Sequence, residues 1–350
     1  MDFCFRQALK RGLVTVVTAT TLALTGGCST AIYKVTGDTM NNIGQDVMLP
    51  YLLTTDDTYV ACASGEALTP LLLSFSTVTT PPDELAVLMA MVGGACATNR
   101  AFENELQYIR YSREKNITAA QDERIQSKRW HALAATREYA GYQSMVRALG
   151  EPGGECPVFE SDFQQLIWLM GVGLGLQSAL SDVASNMQIG VPFSIAPKAE
   201  RGAACLDTPE GNKRWWGLPK AIRAALWTIV PGITPKGMDP WQELDKARQI
   251  GMNEGVRIAS ALDALVANNA SNSERVRKIL REHANSIKST AASKEFKLVD
   301  MLARDQLLQI SDRMWMQNTG TRTPIGAYGT FWDDKKETKK LDQNLIDDLL

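Results

Sequence analysis

The chain has 350 residues, with 37 basic against 39 acidic side chains for a net charge of −2, and is 45% hydrophobic. That length is enough for one large domain, or two intimately packed ones, around a sizeable core. The near-balanced charge, with no Lys/Arg stripe interleaved with aromatics, excludes an electrostatic nucleic-acid interface.

In chain order, the first element is a leader. Arg6, Lys10 and Arg11 precede the apolar run LVTVVTATTLAL, and Gly26 and Gly27 then precede Cys28. This is the charged, apolar and small-residue order of a secretory signal. The run is too short to span a bilayer, which takes about 20 residues. The stretch LALTGGCST resembles the bacterial lipobox, with Thr25 where that box usually has Leu. The resemblance implies removal of residues 1–27 and acylation of Cys28 with palmitate-type chains. Each buried methylene contributes about 0.8 kcal/mol, so several chains on one residue hold a protein at the bilayer. Ser29, in place of an Asp, implies the outer membrane, facing the periplasm. The leader carries a charge of +2, so its loss takes the net charge from −2 to −4. Residues 28–41 read as a tether.

Helix signals dominate from Asn42 to Asn318. Four capping boxes are legible: Thr118 with Gln121, Ser161 with Gln164, Asp239 with Gln242, and Ser271 with Glu274. Pro240 follows Asp239 at the first helical position, where its missing amide is harmless. Apolar residues step by three and four along Phe296, Val299, Ala303, Leu307, Ile310 and Met314. The spacing predicts helices near 44–52, 56–77, 82–114, 119–149, 162–186, 214–229, 240–267, 272–288 and 294–318. The expected fold is all-α, with antiparallel helical hairpins packed as a degenerate TPR-like bundle over 42–318. The run LIWLMGVGLGL reads as a buried helix rather than a membrane span. Residues 188–212 hold three prolines and three glycines and read as one long loop. Residues 319–350 read as a flexible tail ending in LIDDLL.

Apart from Cys4 and Cys28, four cysteines remain, Cys62, Cys96, Cys156 and Cys205, which allow three connectivities. A helical hairpin turning at Pro81–Pro82 would set Cys62 and Cys96 at similar distances from the turn, facing each other. Cys156 and Cys205 then flank the next long helix. The four fit an oxidising compartment as two disulfides. Metal binding is disfavoured, because there is no C-x-x-C spacing and the chain has two histidines, His131 and His283.

No nucleophile elbow, zinc-protease motif, phosphate loop or cofactor fingerprint is present, so the chain reads as a non-enzyme without a cofactor. GVGLGL and MVGGACA read as close-packing glycines in helices, and both histidines as structural. Glu160-Ser161 with the later NMQIGVP faintly resembles the motifs of lytic transglycosylases, although Ser161 reads as an N-cap and a long helix intervenes. The tryptophans cluster in the second half. Trp168, Trp215 and Trp216 with Arg214 form the candidate ligand site, on the reasoning that adjacent indoles of one helix cannot share a face. One of them then lines a groove in which Arg214 meets an anionic group.

The order of LPYLLTTDDTYVACASGEALTPLLLSF, PPDELAVLMAMVGGACA, AFENELQYIRYSREKN, FQQLIWLMGVGLGLQSALSD, VPGITPKGMDPWQELDKARQIG and VDMLARDQLLQISDRMW is similar to the TRAP-transporter-associated T-component lipoproteins (TatT-like). The resemblance implies a periplasmic lipoprotein of cryptic helical repeats that assembles as a homotrimer with an apolar channel. It also implies association with the solute-binding protein of a TRAP-type importer and passage of organic, often hydrophobic, ligands. An envelope assembly scaffold with no small ligand is the alternative.

Overall fold

The computed structural model describes residues 31–335; the expected leader, Cys28 and residues 336–350 with LIDDLL lie outside the described residues. The fold is an all-α bundle, with no strand among the described residues. Residues 31–43 are helical and run through a π turn, Gly44–Met48, into Leu49–Leu53; we call this run α1. Then come α2 (Thr58–Ser74), α3 (Asp83–Arg113), α4 (Ile117–Leu149), α5 (Asp162–Ser185), α6 (Ile195–Ala204) and α7 (Pro209–Arg214). The rest is α8 (Leu218–Ile229), α9 (Pro240–Glu254), α10 (Ile258–Asn269), α11 (Ser273–Ser289) and α12 (Lys297–Thr319). The most extensive packing is of α3 on α4 and α4 on α5, the long central layers, with α2 on α3 and α8, α9, α10 and α11 packed in succession.

Helices α3 and α5 are long and apolar enough to cross a membrane by length and composition, yet 72% and 67% of their most apolar windows are buried in the bundle. They are core helices. Small residues bring their neighbours close: a Cβ on Gly94 of α3 would lie 2.7 Å from Glu138 Cγ on α4, and one on Gly171 of α5 would collide with Met145. The expected close approach fails only at Gly173, which faces open space. Cys62 and Cys96 pair α2 with α3, and Cys156 pairs with Cys205, at Cα–Cα distances of 5.4 and 5.5 Å.

The second half is tied by buried ion pairs. Asp263 on α10, fully buried, lies 2.8 Å from Arg248 of α9 and 2.8 Å from Arg275 of α11. Arg257, in the α9–α10 link, meets Asp300 of α12 at 2.7 Å and the Ser286 hydroxyl at 2.9 Å.

Several boundaries differ from expectation. Residues 31–41, expected as a tether, are helical. The expected helix 240–267 breaks at Gly255, which takes φ +73° against Ala291 and ends α9 in a left-handed cap. The expected loop 188–212 holds α6 and α7. Its prolines are not breakers, because Pro197 sits in the first turn of α6 and Pro209 opens α7, where no intrahelical amide bond is required. The caps at Ser161 and Asp239 stand. Those at Thr118 and Ser271 move to Asn116 and Asn272, since Lys115 and Ser271 take positive φ in ending the preceding helices and the next residue becomes the cap. The first part of the expected flexible tail is docked: Phe331 is buried, and Asp333 and Asp334 pair with Arg277 and Arg281 of α11.

Candidate functional site

The expected tryptophan site does not form a groove. Trp168 and Trp215 are each about 1% exposed, and their indole N–H groups donate to the Gly202 carbonyl (2.8 Å) and Gln165 Oε1 (2.9 Å). Trp216 is buried edge-on to Phe296, with ring centres 4.7 Å apart. The expected continuous helix from 214 is interrupted here: Trp216 has φ +54° and Gly217 +75°, so both indoles turn into the core. Arg214 stacks over Trp215 at 4.9 Å and spends its charge on Asp162 at 2.9 Å. Glu160 is an exposed turn residue whose backbone N–H donates to Gln164 Oε1.

The structure instead opens a cleft of about 720 Å³ where five helices meet. Its size falls in the range of small-molecule sites. Helix α4 contributes Arg124, Ser127, Lys128 and His131; α3 contributes Thr98, Glu105 and Tyr108; α5 adds Gln177, Leu180, Ser181 and Val183. Helices α10 and α12 close the other side with Leu265, Asn269, Gln306, Gln309, Ile310 and Arg313. The lining is therefore mixed, with Leu180, Val183, Leu265 and Ile310 apolar beside amides, hydroxyls, cations, His131 and the carboxylate of Glu105.

Long-range bonds hold α12 against α3 at this place. Gln309 donates to Asn99 at 2.6 Å, and Arg313 meets Glu105 at 2.7 Å. Among the described residues Glu105 is the only carboxylate lining the cleft and is taken up by Arg313, whose Nε is buried without a partner. Among the described residues, neither Arg124 nor Lys128 has a carboxylate within ion-pair distance; Arg124 lies 5.7 Å from the Tyr108 ring centre. The lining is thus net positive. His131 is held below its ordinary pKa, chiefly by burial, and its Nδ1 is unpartnered, so the ring stays neutral at pH 7.

Behind the floor lies Glu138 of α4, 2% exposed. Oε1 is 3.4 Å from the Thr98 hydroxyl, while Oε2 has no hydrogen-bond partner. Burial pushes this carboxyl up to about 7, against the opposing influence of the Ser181 and Thr98 hydroxyls. Ser181 lies near enough to affect the carboxyl but is not aligned for a hydrogen bond. Both hydroxyls line the cleft, so a carboxyl whose pKa burial raises sits one layer beneath it.

None of these cleft residues stood out in the sequence as a site. The one legible sign was Glu138 itself, a carboxylate on the stripe Ala134, Ala135, Gly141, Tyr142 and Met145, all of which are buried. Among the described residues no group of three or more His, Cys, Asp or Glu is placed to hold a metal ion. No family model, curated protein or solved structure matches this chain.

Proposed function

We propose that this is a non-enzymatic, lipid-anchored protein of the bacterial envelope whose cleft takes a small organic anion with an apolar body. In this reading it resembles the T components of TRAP-type importers, holding a solute-binding protein and passing such a ligand to or from it, with Cys28 as the lipidated residue. The homotrimer belongs to the same proposal. The observation that carries the ligand class is the cleft's mixed lining, in which Leu180, Val183, Leu265 and Ile310 are apolar and Arg124 and Lys128 lack carboxylate partners among the described residues. A carboxylate would meet these cations by charge-assisted hydrogen bonds while its hydrocarbon lies along Leu180, Val183 and Leu265.

Titrating the purified protein with aromatic and aliphatic carboxylates, and with their uncharged amides, tests this reading. Heat of binding for carboxylates alone, lost in Lys128→Glu, is the expected result. No heat from any carboxylate removes the ligand and favours a scaffold without one. Co-purification from envelopes of a bacterium that makes the protein, with and without Cys28→Ala, tests the solute-binding partner and the anchor.

A further inference from the structure

Helix α1 is amphipathic in an unusual register. Its inner face, Gly37, Gly44, Leu49 and Leu53, is buried. The steps of seven, five and four residues stay in line only because the π turn Gly44–Met48 inserts extra rotation between Gly44 and Leu49. The opposite face is largely apolar and uncovered: Ile32, Val35, Ile43, Val47 and Tyr51 are 62, 65, 42, 61 and 79% exposed, with Thr39, Asn42 and Asp46 exposed among them. Helix α2 repeats the pattern, exposing Tyr59, Val60 and Leu71. Its only charged residue, Glu66, meets Arg137 and Arg100 at 2.8 and 3.1 Å, on the side of α2 that faces α3 and α4. Both helices lie on α3, α1 through Gly44 against Leu85 and α2 through Gly65 against Val92.

What covers this surface follows from chain length. Cys28 is three residues before Ala31, where the described helix begins. Three extended residues reach about 10 Å. An acyl anchor at Cys28 therefore holds the start of α1 within that distance of the bilayer. Exposed apolar faces with tyrosines are suited to the headgroup boundary. Lys34 is the one cation of α1 and α2, beside Asp38, Asp46 and Glu66, and no Lys or Arg occurs from residue 35 to residue 99, so attraction to anionic lipid contributes little and insertion is chiefly apolar. We infer that the outer face of α1, extended by α2, lies in the surface of a lipid bilayer and fixes the orientation of the bundle on it. This inference rests on the reading of Cys28 as a lipidated residue.

The experiment places an environment-sensitive fluorophore at Val47→Cys, or at Met238→Cys, in the full acylated protein reconstituted in vesicles of phosphatidylcholine and phosphatidylethanolamine. Met238 is also exposed and apolar, at 50%, but lies in the link between α8 and α9, helices that pack on α5, α6, α7 and α10. Mass spectrometry of the same sample reports acylation. The expected result is a blue-shifted probe at position 47 that is quenched several-fold by doxyl-labelled lipid and changes little with salt, with no quenching at 238. Acylated protein whose probe at 47 stays in water overturns the inference and leaves the lipoprotein reading standing. A probe shielded from water yet unquenched by doxyl lipid also overturns it, because a second copy or another protein then covers the face. An unacylated Cys28 removes the lipoprotein reading and this inference with it.

Discussion

The imidazole Nδ1 of His283 on α11 lies 2.8 Å from the phenol oxygen of Tyr328, with the two rings edge to face at 5.6 Å. Burial holds His283 down at about 3 and raises the Tyr328 phenol, so the neutral ring can accept the phenol proton at Nδ1. This bond, with buried Phe331, fastens residues 320–335 to α11.

Replacing Tyr328 by Phe leaves a fully buried imidazole nitrogen without a partner. The expected cost is about 1–3 kcal/mol, read as a lower urea midpoint, with faster proteolysis near residue 325.

His283 also sets a pH dependence. Its native pKa lies below its ordinary value of 6.5, so the unfolded chain binds the proton more readily. Stability from this group is full above pH 6.5 and falls as pH drops toward 3. Urea melts between pH 7 and 4 are expected to show a flatter acid decline in His283→Gln than in wild type.

Glu138 works in the opposite sense. Its native pKa, raised from 4.5 to about 7, means the native state holds its proton longer than the unfolded chain. Stability from this group is full below pH 4.5 and is lost as pH rises through 7, by roughly 3 kcal/mol. Glu138→Gln is therefore expected to match wild type near pH 4 and to melt several degrees higher at pH 8. Equal melting temperatures at pH 8 would show that the carboxyl is not desolvated there.

Arg257 is 1% exposed and joins Asp300 of α12 to the Ser286 hydroxyl of α11 and to the Thr290 carbonyl in the α11–α12 connection. Arg257→Met removes one partner of a buried pair and strands Asp300, at an expected cost of about 3–5 kcal/mol. Asp300→Asn in the same background should recover part of it. Chemical denaturation of the two variants and their double mutant gives the coupling.

The two cystine links close chain segments of 34 and 49 residues. Each is expected to stabilise by about 4 kcal/mol through the unfolded state. Melting with and without a thiol reductant, after mass mapping of the Cys62–Cys96 and Cys156–Cys205 peptides, measures the sum.

Local chemistry was legible from residues alone wherever the signal was local. Helical periodicity along α12, the caps at Ser161 and Asp239, and cysteine spacing around a Pro–Pro turn depend on neighbours within a few positions or on hairpin symmetry. Reading the prolines of 188–212 as loop formers failed because a proline's effect depends on its place in a helix, and first-turn prolines look the same in sequence as breakers. The Trp215–Trp216 reading failed for a related reason: a left-handed residue between two helices is decided by how closely Gly217 must approach Ala247 of α9, which is a long-range contact.

By itself, the sequence determined an all-helical chain and favoured the two cysteine pairs found, because those rest on periodicity and on hairpin symmetry. Only the tertiary structure decided the cleft. Thr98, Lys128, Ser181, Leu265 and Arg313 come from five helices, and nothing in their local patterns marks them as neighbours. Their charge balance, and the burial that raises the pKa of Glu138, exist only once packing has removed water from between those helices.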